Sequence, residues 1–290
     1  MGVDPDRPAW SEQFNADVIQ DLFQDGPISR ITPKWAFGDS NGKGVRVAVV
    51  DSGVEHDHPA VGKSVKGGVV VEYDKKAENL VRYDADDPPE DVAGHGTACA
   101  GIIHSIAPRA RIYSVRVLGS NMRGRAIQFA GGLDWAIENN IQVVNLSLST
   151  SSEEYYSLFH DLADQAYFKN MNVVCAVNNY PESSYPSLYS SVISVAAHDG
   201  YDPFTYYYNP NPPVEFGAPG IDLEVAWKDK QYVVSTGNSF AAPHITGIIA
   251  LIRAKHPELT PFQVKTVLLA CASNMNKPRN KPGRGKPARK

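Results

Sequence analysis

A doubly wound α/β domain, with a mostly parallel sheet and helices on both faces, is the fold class this sequence predicts. Short, almost wholly apolar runs at residues 45–50, 141–147 and 173–177 have the composition of strands buried on both faces. Between them lie longer stretches, 125–139 and 153–169, whose apolar residues recur at helical spacing. No internal repeat or linker interrupts the alternation, so a single body is expected. The chain of 290 residues is long enough for one large core.

Taken in order, residues 1–43 read as an N-terminal arm with a short helical pattern at Val18, Ile19, Leu22 and Phe23. The turn-rich segment 39–44 feeds the first strand, 45–50, which ends at Asp51-Ser52-Gly53. Residues 72–91 are polar and acidic and are expected to form a solvated surface loop. The small residues from Gly94 to Ile103 suit a closely packed helix. Further strands are expected at 111–118 and 192–197, and a turn at 216–220. The apolar segment 245–252 reads as a buried helix, with Ser239 on the turn before it and Pro243 in its first turn. A last helix, 261–271, takes Thr260 as its N-cap. The body is therefore placed at 44–273. The tail, 274–290, is basic and proline-bearing, and disorder is expected of it.

A net charge of −4 points to neither nucleic acid nor a membrane surface as the principal partner. No apolar run approaches the roughly 20 residues that span a bilayer. The polar N-terminus has no signal-peptide core, so the chain as written is expected in the cytoplasm unless a leader was trimmed. Three cysteines, Cys99, Cys175 and Cys271, sit in apolar surroundings and are expected to be reduced and buried.

The candidate chemistry lies in three segments, each setting one member of a Ser/His/Asp group beside glycine. They are Asp51-Ser52-Gly53, Gly94-His95-Gly96-Thr97, and Gly237-Asn238-Ser239-Phe240-Ala241-Ala242-Pro243. A serine hydroxyl is a weak nucleophile at neutral pH, so a histidine must take its proton and a carboxylate must hold that histidine. In this order, over about residues 44–270, the motifs resemble the subtilisin-like serine peptidases, whose Asp, His, Ser order is itself a known example.

That resemblance implies Ser239 as nucleophile, His95 as general base and acid, and Asp51 as the orienting carboxylate. It implies Asn179 as oxyanion donor, with Asn178 the alternative. Ser147, Leu148 and Ser149 resemble the edge that pairs with a peptide or protein substrate in extended conformation. The implied activity is peptide-bond hydrolysis through an acyl-enzyme, in limited processing of a specific substrate. A transpeptidase and a catalytically silent binding module are the alternatives. No cofactor and no metal are expected. His56 and His58 invite a metal reading, but His58-Pro59 fits the family's sequence after the aspartate.

The chain departs from the family in four places. It lacks the calcium-binding insertion after residue 103, and its loop at 180–184 is short. Asn238 and Ala98 replace a common threonine and a common histidine, and only a short arm precedes the first strand. Cys99 lies one helical turn beyond His95 and is expected to approach it.

Overall fold

The computed structural model describes residues 31–275 apart from 86, 87 and 212. The pattern near Val18 and tail residues 276–290 lie outside the described residues. In chain order the elements are helix α1 (Pro33–Ala36) and strands β1 (Arg46–Asp51), β2 (Val65–Asp74) and β3 (Asn79–Ala85). Then come α2 (His95–Ile106), β4 (Arg111–Arg116), α3 (Ala126–Glu138) and β5 (Val143–Leu146). A 3₁₀ turn at Glu153–Tyr155 leads into α4 (Tyr156–Phe168), followed by β6 (Asn172–Ala176), β7 (Ile193–His198), β8 (Tyr207–Tyr208) and β9 (Phe216–Pro219). Last come β10 (Leu223–Trp227), β11 (Gln231–Ser235), α5 (Asn238–Lys255) and α6 (Pro261–Cys271).

Nine strands form one sheet in the order β3-β2-β4-β1-β5-β6-β7-β9-β8, and β10 and β11 form a separate hairpin. The sheet is parallel from β2 to β9, with β3 and β8 running antiparallel at its two edges. In β1, Val47 and Val49 face the layer holding α2, α5 and α6, while Ala48 and Val50 face α3 and α4. Burial on both faces is why the central strands read as unbroken apolar runs rather than as alternating ones. Asp51, Ser147 and Asn179 all follow or end strands at the carboxyl edge of this sheet, where α/β folds gather their ligands.

Four expectations need correction. Residues 72–91 are not one loop: β2 and β3 form an antiparallel hairpin from Gly68↔Ala85 to Asp74↔Asn79. Residues 216–220 are not simply a turn, because β9 pairs in parallel with β7 from Val195↔Phe216 to His198↔Pro219. Pro219 ends that strand, where its missing N–H costs the ladder little. The buried helix begins at Asn238, not at Ile245, and Pro243 lies inside it. Finally, the segment 153–169 opens as the 3₁₀ turn before its α-helix begins.

Helix α5 is buried all round from Phe240 to Arg253, the pattern of a helix enclosed in a core. It carries His244, whose Nδ1–H donates to the Phe240 carbonyl at 2.9 Å. Burial pushes the pKa of His244 down to about 4, against the smaller opposing effect of that carbonyl. The folded pKa lies below the ordinary 6.5, so the contribution to stability is complete above pH 6.5 and lost as pH falls towards 4. The expected loss is about 3 kcal/mol across that window. Urea unfolding at several pH values checks it: His244→Gln should flatten this limb, and an unchanged slope would refute the assignment. Among the described residues, no helix is long and apolar enough to cross a membrane.

Candidate active site

Asp51 ends β1 and is fully buried. Its Oδ1 accepts the Ser52 N–H at 2.7 Å, and both its oxygens lie 2.9 Å from His95 Nδ1. With Nδ1 donating to a carboxylate, Nε2 is the free acceptor, and it stands 2.9 Å from Ser239 Oγ. Three side chains far apart in sequence are thus joined in one line.

Local chemistry places His95 there. Gly94 has φ 108°, and a Cβ on it would run into Trp227. A Cβ on Gly96 would come within 1.9 Å of the Gly53 carbonyl, so glycine lets the loop after β1 approach the histidine. Asp91 organises the turn before α2. It accepts from the N–H groups of Ala93, Gly94 and Thr97 and from the hydroxyls of Thr97 and Ser52, all at 2.7–2.9 Å. Sequence reasoning left Asp91 in the acidic stretch. Its one sequence signal is an aspartate a few residues before a helix start.

Ser239 is the second residue of α5, after the N-cap Gly237. Pro243, four residues on, has no N–H to give the Ser239 carbonyl. The Ser147 hydroxyl takes that place at 2.8 Å, itself accepting from Asn145 Nδ2 at 2.9 Å. The hydroxyl of Ser147, expected at the substrate edge, is therefore turned inward. Leu148 and Ser149 keep their place just beyond β5 and, among the described residues, make no backbone-to-backbone hydrogen bond. Beside them Thr150 pairs with Tyr185, which pins the end of the short loop 180–184.

Asn179 follows β6, and its Oδ1 accepts the Asn238 N–H at 2.9 Å. That bond uses the carboxamide oxygen and leaves the NH₂ group without a partner among the described residues. Asn178 points its own Oδ1 at the Tyr180 N–H, 3.1 Å away. The carboxamide of Asn238 ties three segments together: it donates to the carbonyls of Val177 and Asn178 and accepts the Ala197 N–H. The threonine expected here from the resemblance would have no NH₂ to make those donations.

His58 is also buried, with Nδ1 accepting the Ala60 N–H at 3.0 Å and Nε2 donating to the Gln231 carbonyl at 3.1 Å. Both ring nitrogens are committed to backbone, so it joins the β1 loop to the β10–β11 hairpin and has no nitrogen for a metal. Among the described residues, Asp51, His95 and Cys99 form the one group of three metal-ligand side chains within 4.8 Å of one another.

Known proteins resemble this chain in sequence and in fold. The sequence model of the subtilase family (peptidase S8) matches residues 42–285. This chain belongs to the subtilase family. The chain is 31% identical over 267 residues to the minor extracellular protease Epr of Bacillus subtilis, covering 88% of this subtilase and 37% of that protein. It is 30% identical over 247 residues to subtilisin E of Bacillus subtilis, covering 80% and 61%. The solved structure of a cold adapted subtilisin-like serine proteinase superposes with a TM-score of 0.64 at 25% identity, over 80% of this chain and 83% of that one. This subtilase thus spans between about a third and two thirds of the length of those two curated relatives.

Cys99 is fully buried, its Sγ 4.0 Å from His95 Nδ1 and 3.8 Å from Asp51 Oδ2. Burial pushes its thiol pKa up, so it is neutral and packs as a small apolar group. A bulky mercurial forced onto this sulfur should displace the imidazole and lower activity about 10²-fold, the scale on which a shift of about 1 Å acts. Cys99→Ala should abolish the sensitivity. Full turnover after confirmed modification of Cys99 would contradict the expectation.

Proposed function

We propose that this subtilase is a serine endopeptidase that hydrolyses peptide bonds through an acyl-enzyme. The observation that carries the proposal is the line from Asp51 through His95 to Ser239 Oγ, with 2.9 Å at each junction. In this reading His95 Nε2 takes the Ser239 proton as Oγ attacks the scissile carbonyl. It then returns that proton to the departing amine, and Asp51 stabilises the transient imidazolium. The backbone N–H of Ser239 and the NH₂ of Asn179 receive the oxyanion; the bond from Asn238 to Asn179 Oδ1 supports the choice of Asn179 over Asn178. A water then resolves the ester by the same route in reverse.

The substrate is proposed to be an extended peptide whose backbone pairs with the unpaired edge at Leu148 and Ser149. Limited processing of one peptide or protein is favoured over general digestion, because the Thr150–Tyr185 bridge fixes one end of the short 180–184 loop next to that edge.

Labelling with a fluorophosphonate, read by intact mass, tests the proposal. The expected result is one adduct on Ser239, absent from Ser239→Ala and slowed in His95→Ala. A folded wild type that takes no adduct would overturn it in favour of a binding module. Product masses in the presence of an added amine separate hydrolysis from transpeptidation.

A further inference from the structure

A cationic hollow adjoins the proposed active site on the side away from Asn179. Across three neighbouring strands, Asp51 of β1 is in register with Arg116 of β4, and Arg116 with Val70 of β2. At a strand spacing of about 4.8 Å, Val70, midway along β2, therefore lies roughly 10 Å from Asp51, and the last residues of β2 run on beyond it. The N–H groups of Val117 and Leu118 both donate to the Asp51 carbonyl, and Val92 donates to that of Ser52. Val92, Val117 and Leu118 also line an open hollow of about 390 Å³ between the end of β2 and the segment after β4. The hollow and the catalytic aspartate share a wall.

Among the described residues, five charged side chains line the hollow: Lys75, Arg116, Arg123 and Arg125 against the one acid Glu72. Glu72 stands 3.8 Å from Arg116, a loose ion pair. The Arg125 guanidinium rests 4.2 Å over the Tyr73 ring, a contact that orients the cation without neutralising it. Arg123 and Lys75 are exposed and form no ion pair among the described residues. A surplus of positive charge is thus concentrated here on a chain whose net charge is −4. Charge of one sign in a concave site raises the local concentration of the opposite sign.

We propose that this hollow is a subsite for an acidic side chain, aspartate or glutamate, carried by the peptide substrate a few residues from the scissile bond. The proposal rests on the peptidase reading of the same site. Lys75, Arg123 and Arg116 receive the carboxylate, and Arg125 is held ready by Tyr73. Glu72 excludes a second acid and sets how deeply the carboxylate enters.

The test is a glutamate scan. A neutral peptide that the wild type cleaves is remade with Glu or Gln at each position in turn, and kcat/KM is measured for each pair. One position should favour Glu by about tenfold, the product of two or three exposed ion pairs each worth a few-fold. That preference should shrink as salt is raised, because exposed pairs are screened. In Lys75→Glu/Arg123→Glu the Glu:Gln ratio at the same position should fall to one or below, and Lys should become the favoured residue. The ratio is taken within each protein, so a general loss of activity cancels. A ratio of one at every position in the wild type, or a preference that survives the double reversal, overturns the subsite while leaving the peptidase intact. Absence of a fluorophosphonate adduct on folded wild type overturns both.

Discussion

Ser239→Ala and His95→Ala are each expected to lower kcat by about 10⁶-fold, a magnitude measured on subtilisin itself rather than derived from these distances. The double variant should lose no more than either single one, because nucleophile and base act as a unit. Asp51→Asn should cost less, about 10⁴-fold, because the imidazole survives but loses the partner that fixes its tautomer. The pH profile adds a sharper expectation. Burial works against an imidazolium at His95, but the adjacent Asp51 carboxylate, together with the Cys99 sulfur, outweighs it, so the pKa is raised well above 6.5. A general base must be unprotonated, so the ascending limb of kcat/KM should lie on the alkaline side of pH 6.5. Asp51→Asn should move that limb to lower pH. The same pair contributes stability that is complete below pH 6.5 and lost as pH rises through the raised folded value. An ascending limb below pH 6.5 in the wild type would contradict this account of the pair.

The second large effect is expected at Asn179. Asn179→Ala should lower kcat by about 10²–10³-fold with little change in KM, the cost of one oxyanion donor and again a figure established on subtilisin. Asn178→Ala should do much less, since that side chain closes a turn on Tyr180. Asn238→Ala removes the carboxamide that joins Val177, Asn178 and Ala197, and should lower kcat by acting through Asn179. The effects should then be non-additive: in an Asn179→Ala background the loss from Asn238→Ala should largely disappear. Kinetic constants for the four proteins of this cycle decide it. Independent, additive losses would mean that Asn238 acts elsewhere.

Much of the scaffold was legible in the chain because its signals are local. The apolar runs at β1, β5 and β6 mark strands buried on both faces, and the spacing in α3 and α4 marks helices with one wet side. The misreadings have equally physical causes. The stretch 72–91 reads as a surface loop because it is polar and acidic, whereas the structure pairs its first part as the β2–β3 hairpin at the sheet edge, where Glu72 and Asp74 face solvent. In β9, Gly217 and Pro219 read as a turn, although Phe216 and Ala218 reach the core. Pro243 suggested a helix start and is instead an interior break in hydrogen bonding. Its consequence, a Ser239 carbonyl left for Ser147, is visible only when α5 lies against the end of β5.

The sequence by itself determined the residue types, the strand–helix alternation and the family. Asp51, His95 and Ser239 each sit in a glycine-bearing motif whose chemistry is readable without coordinates. Only the tertiary structure decided distances and partners. It brings His95 to residues 44 and 144 positions away, turns the Ser147 hydroxyl inward, and sets the Asn238 carboxamide between the segment after β6 and strand β7. It also gathers Lys75, Arg116 and Arg123 from two strand ends and a loop into one hollow beside Asp51. A side chain's direction and partner follow from which strands become neighbours and in what register. That is a global outcome of packing, with no local pattern to announce it.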